Sequence, residues 1–261
     1  MTTEASNGFL GTVSEQIQHN DCRATIVDYH QPVSEEWHHH DNVVLCLILR
    51  GGTLESRKKT ETQAIPGKVM LYNQGEVHRN THTQFPSKNL NLELEETFFS
   101  SNDLQSVNFD KAFVKSLDLH FQLLKIYQEL NLNDTYSNQA LYASLLALFG
   151  QKTQKLPNAP WLKNLEEVLA DRWNEFISLK ELSRELNLHP VTISRYFPKY
   201  FGCSLGDYMR KLKVERALFY LQHTLKPLTE IAYECGFADQ SHFIRVFKAY
   251  TGFTPKAFKI L

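Results

Sequence analysis

The chain has 261 residues, 42% of them hydrophobic and 12% aromatic, which is enough to fill one large or two ordinary hydrophobic cores and predicts a globular protein. No apolar run approaches the ~18 residues that a membrane-spanning helix needs, and the first residues lack a basic stretch leading into an apolar one. These observations exclude a membrane protein and predict a cytoplasmic location.

The net charge of −1 conceals an asymmetry between the two halves of the chain. Residues 151–160 are polar and include Pro157 and Pro160, so they predict a linker. Residues 152–261 hold 17 lysines and arginines against 11 aspartates and glutamates (net +6), and residues 1–151 hold 11 against 18 (net −7), which together give −1. The basic half is predicted to face a polyanion, although charge that merely drifts along the surface is an alternative at this point.

Four cysteines, Cys22, Cys46, Cys203 and Cys235, lie far apart in the sequence. Without paired spacing they indicate neither a disulfide framework nor a zinc knuckle, so buried thiols in a reducing compartment are predicted. No cofactor is predicted for the chain.

Residues 1–109 are predicted to form β-structure. Short runs at 24–29, 43–49, 68–72 and 89–95 are rich in β-formers or alternate in polarity, and glycine and proline separate them. In the last run Leu90, Leu92 and Leu94 alternate with Asn91 and two glutamates, which predicts a half-buried strand.

Residues 110–150 change to a helical period. Apolar residues recur every three or four positions, first at Phe113, Leu117, Phe121, Leu124 and Tyr127 and then at Leu141, Leu145, Leu148 and Phe149. Two amphipathic helices are therefore predicted to pack on the sheet. The second carries few charges between positions 136 and 149, so it is also a candidate for a homodimer seam.

The C-terminal region contains an internal repeat. Five residues reappear in kind 50 positions later, since Ile193, Arg195, Phe197, Tyr200 and Gly202 correspond to Phe243, Arg245, Phe247, Tyr250 and Gly252. The preceding Leu179 and Leu182 match Leu228 and Ile231 at a spacing of 49. One extra residue is therefore expected in the second copy, in the turn between its helices.

Each copy is predicted to be a helix-turn-helix unit. A short helix (179–186 or 228–235) precedes a tight break and a longer helix (190–201 or 240–250) that ends at a glycine. Gly236 suits the left-handed residue after the short helix of the second copy, and Asp239 suits the cap of the next helix. In the first copy Pro190 fits the opening turn of the longer helix.

The two longer helices are predicted to enter the major groove of DNA. The aromatic and branched residues of the repeat fall on one face of each helix, the predicted core, and other residues point outward. Arginine can bind guanine, glutamine can bind adenine, and lysine meets phosphate. The predicted base-contacting residues are Val191, Ser194, Arg195, Gln240, Ser241, His242 and Arg245, with Ile244 also outward. The predicted phosphate-contacting residues are Thr192, Lys199 and Lys248.

Residues 205–223 have apolar residues at helical spacing and predict a connecting helix roughly 28 Å long. One turn of DNA measures ~34 Å, so the two recognition helices are predicted to enter successive major-groove segments on one side of the duplex. The alternative is a packing motif with protein partners. The duplication, the charge of +6 and the matched arginines argue against it.

Residues 161–261 resemble the C-terminal domain of AraC/XylS-type transcription regulators. The resemblance is carried by Ile231, Ala232, Cys235, Gly236, Phe237, Asp239, Ser241, Phe243, Arg245, Phe247, Lys248, Gly252, Thr254, Pro255 and Phe258. It implies a domain that places two recognition helices in adjacent grooves and often contacts RNA polymerase. The first unit departs from the family pattern at Ser183, at His189 with Pro190, and at Pro198, whose missing amide hydrogen is expected to bend the helix.

The N-terminal half resembles a cupin-type barrel. His38 and His40 precede a predicted strand that ends at Gly51 and Gly52. Further along, Gly67, Gly75 and His78 follow the spacing of the second cupin motif.

The resemblance implies a ligand site at His38, His40 and His78. In metal-dependent cupins a glutamate joins such histidines, but Val44 or Leu45 stands at its position, which argues against a catalytic metal site. A pocket for a small organic effector, a divalent metal site and a purely structural barrel all remain open. His39 and His82 are expected to be bystanders.

The predicted fold class is α+β with two domains. A cupin-like β-barrel (1–109) and a helical dimerisation segment (110–150) precede the linker (151–160) and an all-α DNA-binding domain (161–261) with units at 179–202 and 228–252. The predicted function is an effector-responsive, sequence-specific transcription activator and not an enzyme. Its predicted partners are double-stranded promoter DNA, RNA polymerase, a small-molecule effector and a second copy. The contrasting hypothesis is a metal-dependent cupin enzyme, an isomerase or dioxygenase, with an accessory helical domain.

Overall fold

The computed structural model of the chain describes residues 4–5, 10–104, 116–150 and 161–260. It divides into two compact units with a boundary between residues 152 and 153. The N-terminal unit combines an antiparallel sheet with helices, and the C-terminal unit is helical, so the chain is a two-domain α+β protein. The predicted linker at 151–160 and the beginning of the first predicted amphipathic helix, at 110–115, lie outside the described residues.

The strands of the N-terminal unit form one eight-stranded sheet within the described residues. Strand β8 pairs with β3, β4 and β5, while β2 pairs with β3, and β6 and β7 pair with β5. All pairs are antiparallel except β1 with β4. The strands are β1 (Glu4–Ala5), β2 (Thr12–His19), β3 (Cys22–Tyr29), β4 (His38–His39), β5 (Val43–Arg57), β6 (Thr60–Ala64), β7 (Val69–Tyr72) and β8 (His78–Leu94).

Strand β5 bends where the sequence predicted its end. The prediction that it ends at Gly51 and Gly52 is wrong, because the strand continues through both glycines to Arg57. Their φ angles of +75° and +143° are values that only glycine adopts readily, and the register against β8 shifts at this point. A Cβ on Gly52 would lie 2.2 Å from the carbonyl oxygen of Ala64. The glycines therefore bend the strand, and the pairing continues beyond them.

The two faces of the sheet are both buried around its centre. On β5, Val44, Cys46 and Ile48 line a cavity, whereas the alternate residues Leu45 and Leu47 are buried on the other face. On β8, Asn91 is 4% exposed and lines the same cavity. The prediction of a half-buried strand is therefore wrong at Asn91, because the polar face of β8 lines a cavity at this residue instead of meeting solvent.

Three helices complete the described part of the N-terminal unit: α1 (Glu96–Ser101), α2 (Leu117–Leu132) and α3 (Ser137–Phe149). The hydroxyl of Ser116 caps α2 by accepting the amide of Leu119 at 3.1 Å. Helix α2 packs on β2 and β3, and α3 packs on α2 and β2. The apolar residues predicted for α3 are buried except Leu148, which is half-buried.

Seven helices make up the described part of the C-terminal unit: α4 (Trp161–Asp171), α5 (Leu179–Glu185), α6 (Pro190–Phe201), α7 (Leu205–His223), α8 (Leu228–Glu234), α9 (Gln240–Thr251) and α10 (Pro255–Lys259). Their limits agree with the prediction to within one residue where a helix was predicted. The core of the first helix-turn-helix unit contains Leu165, Leu169 and Leu182 together with the inward residues of α6. None of the described helices is long and apolar enough to span a membrane.

Candidate DNA-binding surface

The short helices α5 and α8 open the two units in different ways. The Ser178 hydroxyl accepts the amide of Glu181, and the Glu181 carboxylate accepts the Ser178 amide, which forms a capping box at α5. These hydrogen bonds stabilise the charged carboxylate and lower the pKa of Glu181. Helix α8 follows Pro227, which offers no side-chain cap.

The turns between the paired helices have the same backbone design. Asn187 and Gly236 occupy the left-handed region with φ of 52° and 68°. The next amide then donates to a carbonyl five residues back, at 3.0 Å in the first unit and 2.9 Å in the second. The second turn holds one more residue, Ala238, which accommodates the change of repeat spacing from 49 to 50.

The recognition helices α6 and α9 begin and end as their sequences predict. Asp239 caps α9, its Oδ1 accepting the amide of His242 at 2.7 Å. His189 takes this position in α6, where Pro190 forms the first turn. Both helices end at a left-handed glycine, Gly202 or Gly252. Helix α6 continues through Pro198 to its end.

The inward faces of α6 and α9 form the cores of the two units. Tyr200 and Tyr250, which were predicted as core, are only half-buried, because a phenol hydroxyl needs a polar partner or water. The Tyr200 ring meets the edge of Trp161, and the Tyr250 hydroxyl donates to Asp207 at 3.5 Å. The fully buried residues of the two faces are Ile193, Phe197, Phe243 and Phe247.

The outward face of α6 presents the residues predicted to contact DNA. Val191 is 59% exposed, an unusual environment for a branched apolar side chain that suits contact with a thymine methyl. Tyr196, which the sequence prediction missed, lies beside Arg195 and Lys199. Its ring centroid is 5.8 Å from the guanidinium of Arg195 and 5.1 Å from the ammonium of Lys199. The remaining predicted residues are Ser194, exposed, and Thr192, half-buried.

The outward face of α9 is less uniform. Ser241, Arg245 and Lys248 are exposed and line one shallow depression. Gln240 is half-buried, and its Oε1 accepts the hydroxyl of Thr229 at 2.5 Å. Three further residues of this face show partial or full exposure: His242, half-buried with its ring against Phe237; Ile244, half-buried; and Ala249, exposed.

The recognition helices carry positive charge that no ion pair neutralises among the described residues. Other cations of the C-terminal unit are neutralised, since Lys226 pairs with Glu230 and Glu234, and Arg210 pairs with Asp207. Within residues 161–260, no ion pair is formed by the four cations of the recognition helices, Arg195, Lys199, Arg245 and Lys248.

The turn of the second unit is held against the segment that follows α4. Asn174 donates its side-chain amide to the carbonyl of Glu234 at 3.3 Å, and Lys213 of α7 donates to the carbonyl of Gly236 at 2.8 Å. A Cβ on Gly236 would lie 1.8 Å from the carbonyl oxygen of Asn174. Glycine is therefore required at position 236 for close approach as well as for its φ angle.

In the N-terminal unit, the three histidines singled out by sequence come together. Strand β4 pairs with β8 at His38 and His78, and His40 follows directly. The ring centroids lie 4.3 Å apart for His38 and His78, 5.0 Å for His40 and His78, and 5.4 Å for His38 and His40. One ring nitrogen from each of the three lies within 4.8 Å of the other two.

Burial keeps two of these imidazoles neutral. It lowers the pKa of His78 to about 3 and that of His40 to about 4, and the neighbouring histidines contribute to both shifts. His39 lies outside the cluster, with its ring nitrogen 3.8 Å from the carboxylate of Asp41. The His82 side chain lies outside the described residues.

The C-terminal unit matches a known domain family, because residues 182–259 fit the model of a helix-turn-helix domain. The bifunctional transcriptional activator/DNA repair enzyme AdaA of Bacillus subtilis is 31% identical over 106 residues, which are 41% of this chain and 50% of AdaA. The HTH-type transcriptional regulator GbdR of Pseudomonas aeruginosa is 32% identical over 38% of this chain and 27% of its own length. The HTH-type transcriptional activator RhaS of Escherichia coli is 28% identical over 49% of this chain and 47% of its own.

Solved structures show weaker overall likeness. ToxT from Vibrio cholerae is 13% identical with a TM-score of 0.39, over 94% of this chain and 99% of that chain. The C-terminal domain of the response regulator yesN from Fusobacterium nucleatum is 32% identical with a TM-score of 0.35, over 38% of this chain and 97% of that one. The matched region spans about half the length of AdaA and RhaS and about a quarter of GbdR.

The duplicated helix-turn-helix units and the sequence matches together show that residues 182–259 form a helix-turn-helix domain similar to those of DNA-binding transcription regulators. These matches agree with the resemblance of residues 161–261 to the C-terminal domain of AraC/XylS-type regulators. The AdaA match is confined to the helix-turn-helix region, so the DNA repair activity in that protein's name has no counterpart in the matched residues. The enzyme alternative has no support among these relatives.

Proposed function

We propose that the chain is an effector-responsive transcription activator whose helices α6 and α9 enter two adjacent major-groove segments of a promoter. The base contacts are assigned to Val191, Ser194, Arg195, Gln240, Ser241, His242 and Arg245, and the phosphate contacts to Thr192, Lys199 and Lys248. DNA binding places the proposed site of action in the cytoplasm, where the activator contacts RNA polymerase.

The observation that carries this proposal is the placement of the unpaired cations. Arg195 and Arg245 occupy equivalent positions of the repeat, both side chains are exposed, and neither forms an ion pair among the described residues. An exposed guanidinium without a carboxylate partner can donate two hydrogen bonds to guanine at little desolvation cost.

The N-terminal unit is proposed to be a cupin-like barrel that binds the effector. Its cavity lies between β5, β7 and β8 and contains the histidine cluster. An effector acts only if it binds one conformation of the regulator more tightly than another. We therefore propose that the effector-bound and effector-free conformations differ at this cavity.

Dimerisation is proposed to occur along α3. Leu141, Leu145 and Phe149 face the sheet domain's core, which leaves Ala143 and Ala147 exposed on the opposite side. Helix α3 has no charged residue. An uncharged face of small residues allows two helices to approach closely.

The variant Arg245→Ala tests the base-reading assignment. DNA that the wild-type chain selects from a random library supplies the site, and mobility-shift titration at fixed salt gives the affinity. We expect affinity to fall by roughly 1 to 3 kcal/mol and selectivity at one base pair to relax, because a bidentate contact is lost.

Lys163→Ala is the matched control, because it removes one positive charge at an 83% exposed side chain outside the recognition helices. It is expected to change affinity little and selectivity not at all. If Arg245→Ala weakens binding equally for all sequences, Arg245 contacts phosphate. If it has no effect, Arg245 is not part of the interface.

A further inference from the structure

The histidine cluster of the N-terminal unit has the hydrogen bonding of a metal site. The Nδ1 atom of His38 lies 2.9 Å from the carbonyl oxygen of Glu36, and the Nδ1 atom of His78 lies 2.9 Å from the carbonyl oxygen of Glu76. A carbonyl only accepts hydrogen bonds, so in each neutral ring Nδ1 holds the proton and Nε2 carries the free lone pair. Backbone carbonyls commonly fix metal-binding imidazoles in this way.

The lone pair of His78 has no partner among the described residues. His78 is fully buried, and its Nε2 atom makes no hydrogen bond. A buried polar atom left without a partner costs about 1 to 3 kcal/mol. A histidine that served only the core would be expected to satisfy both nitrogens, and this one leaves its acceptor facing two other imidazoles.

The carboxylate of Glu35 lies beside the histidine cluster, although the sequence pattern did not predict it there. The Glu35 carboxylate lies 3.8 Å from Nε2 of His38, and the side-chain amide of Asn80 holds the same oxygen at 2.7 Å. Glu35 lines the cavity together with the three histidines. Val44 also lines this cavity, and it stands where a cupin-type site has its glutamate. Glu35 therefore supplies the carboxylate oxygen that the cupin sequence pattern lacks here.

The size of the cavity favours an ion over an organic ligand. Its volume is about 50 Å³, whereas an engineered protein cavity that binds benzene measures about 150 Å³. Nitrogens bound to one Zn²⁺ at about 2.0 to 2.1 Å lie roughly 3.4 Å apart in tetrahedral geometry. The ring nitrogens here lie within 4.8 Å of one another, so small side-chain rotations bring them to that spacing.

We propose that His38, His40 and His78 bind one divalent transition-metal ion, with Glu35 as the adjacent carboxylate, and that this ion is the effector of the regulator. The role as effector rests on the proposed function, and the binding of the ion does not. Imidazole ligands suit Zn²⁺ and other late first-row divalent ions, and Co²⁺ serves as the coloured probe of the same site.

Metal binding is measured on the full chain, purified without a polyhistidine tag and stripped with a chelator. Titration calorimetry with Zn²⁺ and the visible absorption of Co²⁺ are expected to show one equivalent bound. His40→Gln is expected to weaken binding at least about 10-fold. The control His39→Gln, at the preceding residue and outside the cluster, is expected to leave binding unchanged.

Folding of each variant is checked by circular dichroism. His40 is the preferred position because it is only half-buried, whereas His78→Gln risks unfolding the sheet. Glu35→Gln, which keeps the hydrogen-bonding shape, is expected to weaken Zn²⁺ binding and alter the Co²⁺ spectrum. Absence of a Co²⁺ spectrum in the wild-type chain, or equal Zn²⁺ binding in folded His40→Gln, overturns the metal site.

The effector role is tested by mobility shift with the selected DNA site, on the stripped chain with and without one equivalent of Zn²⁺. We expect affinity to change at least about 5-fold, the lower end of typical allosteric coupling. A chain that binds Zn²⁺ with unchanged DNA affinity overturns the ion as effector. A chain that binds DNA but no Zn²⁺ overturns the site and leaves the proposed function intact, and one that binds Zn²⁺ but no DNA overturns the proposed function.

Discussion

Asp207 shows how one side chain joins the two helix-turn-helix units. It lies in the first turn of α7, where its carboxylate accepts hydrogen bonds from the hydroxyl of Ser204, from Arg210 and from the hydroxyl of Tyr250 at the end of α9. The hydrogen bond from Ser204, followed by that from Arg210, lowers the pKa of Asp207 below its usual 3.8.

The sign of the resulting pH dependence follows from linkage. The folded chain favours the charged carboxylate, so its stabilisation is complete above pH 3.8 and is lost as the pH falls through the lowered folded value. Asp207→Asn is expected to reduce stability at pH 7 by about 0.5 to 1 kcal/mol, because the group is partly exposed. Urea unfolding should show this difference shrinking in acid. Asp171→Asn, at the exposed end of α4, is the control, and an equal loss there would show that the charge alone matters.

At the scale of residues, sequence reasoning succeeded where a local rule applies. The cap at Asp239 and the left-handed residue at Gly236 follow from backbone chemistry within a few positions. The hydrogen bond from Thr229 to Gln240 was missed because it crosses from one helix to another. The carboxylate of Glu35 was missed for the same reason, since β8 and a preceding loop bring it to the histidines.

At the scale of elements, Gly202 and Gly236 each follow the end of a helix and have nearly equal φ angles. Comparing them therefore separates the cost of a left-handed backbone from the cost of a close contact. An added Cβ at Gly202 meets nothing within 4 Å, whereas at Gly236 it meets the carbonyl of Asn174 at 1.8 Å. Gly202→Ala is expected to cost about 1 kcal/mol for the left-handed conformation. Gly236→Ala is expected to cost roughly 1 to 3 kcal/mol more because the backbone must move. Thermal unfolding of both variants measures the difference, and equal losses would contradict the tight packing of this turn.

The five helices from α5 to α9 were predicted to within a residue, and the strands were not. The limits of α6 and α7 follow from capping residues and a 3.6-residue period that are present in the sequence itself. Strand β5 was expected to stop at Gly51, because glycine marks both the end of a strand and a bulge inside one. Which of the two occurs depends on partner strands that lie far away in the sequence.

At the scale of the whole molecule, the proposed dimer makes a direct prediction. Ala143→Glu places a charge on the exposed face of α3 and is expected to give a monomer, because two charges would meet at a two-fold seam. Light scattering after gel filtration measures the mass. Asn138→Glu adds the same charge on another exposed face of α3 and should leave the dimer intact. A dimer that survives Ala143→Glu places the seam elsewhere.

The contacts of Asn174 and Lys213 with the second turn have a consequence for the operator. Together with α7 these contacts connect the two helix-turn-helix units, so we expect the distance between α6 and α9 to stay nearly constant. Each base pair added to B-DNA turns the duplex by about 34°. We therefore expect every operator to have the same number of base pairs between its two sub-sites. Operators should differ in the base sequence of the sub-sites and not in the length of the spacer.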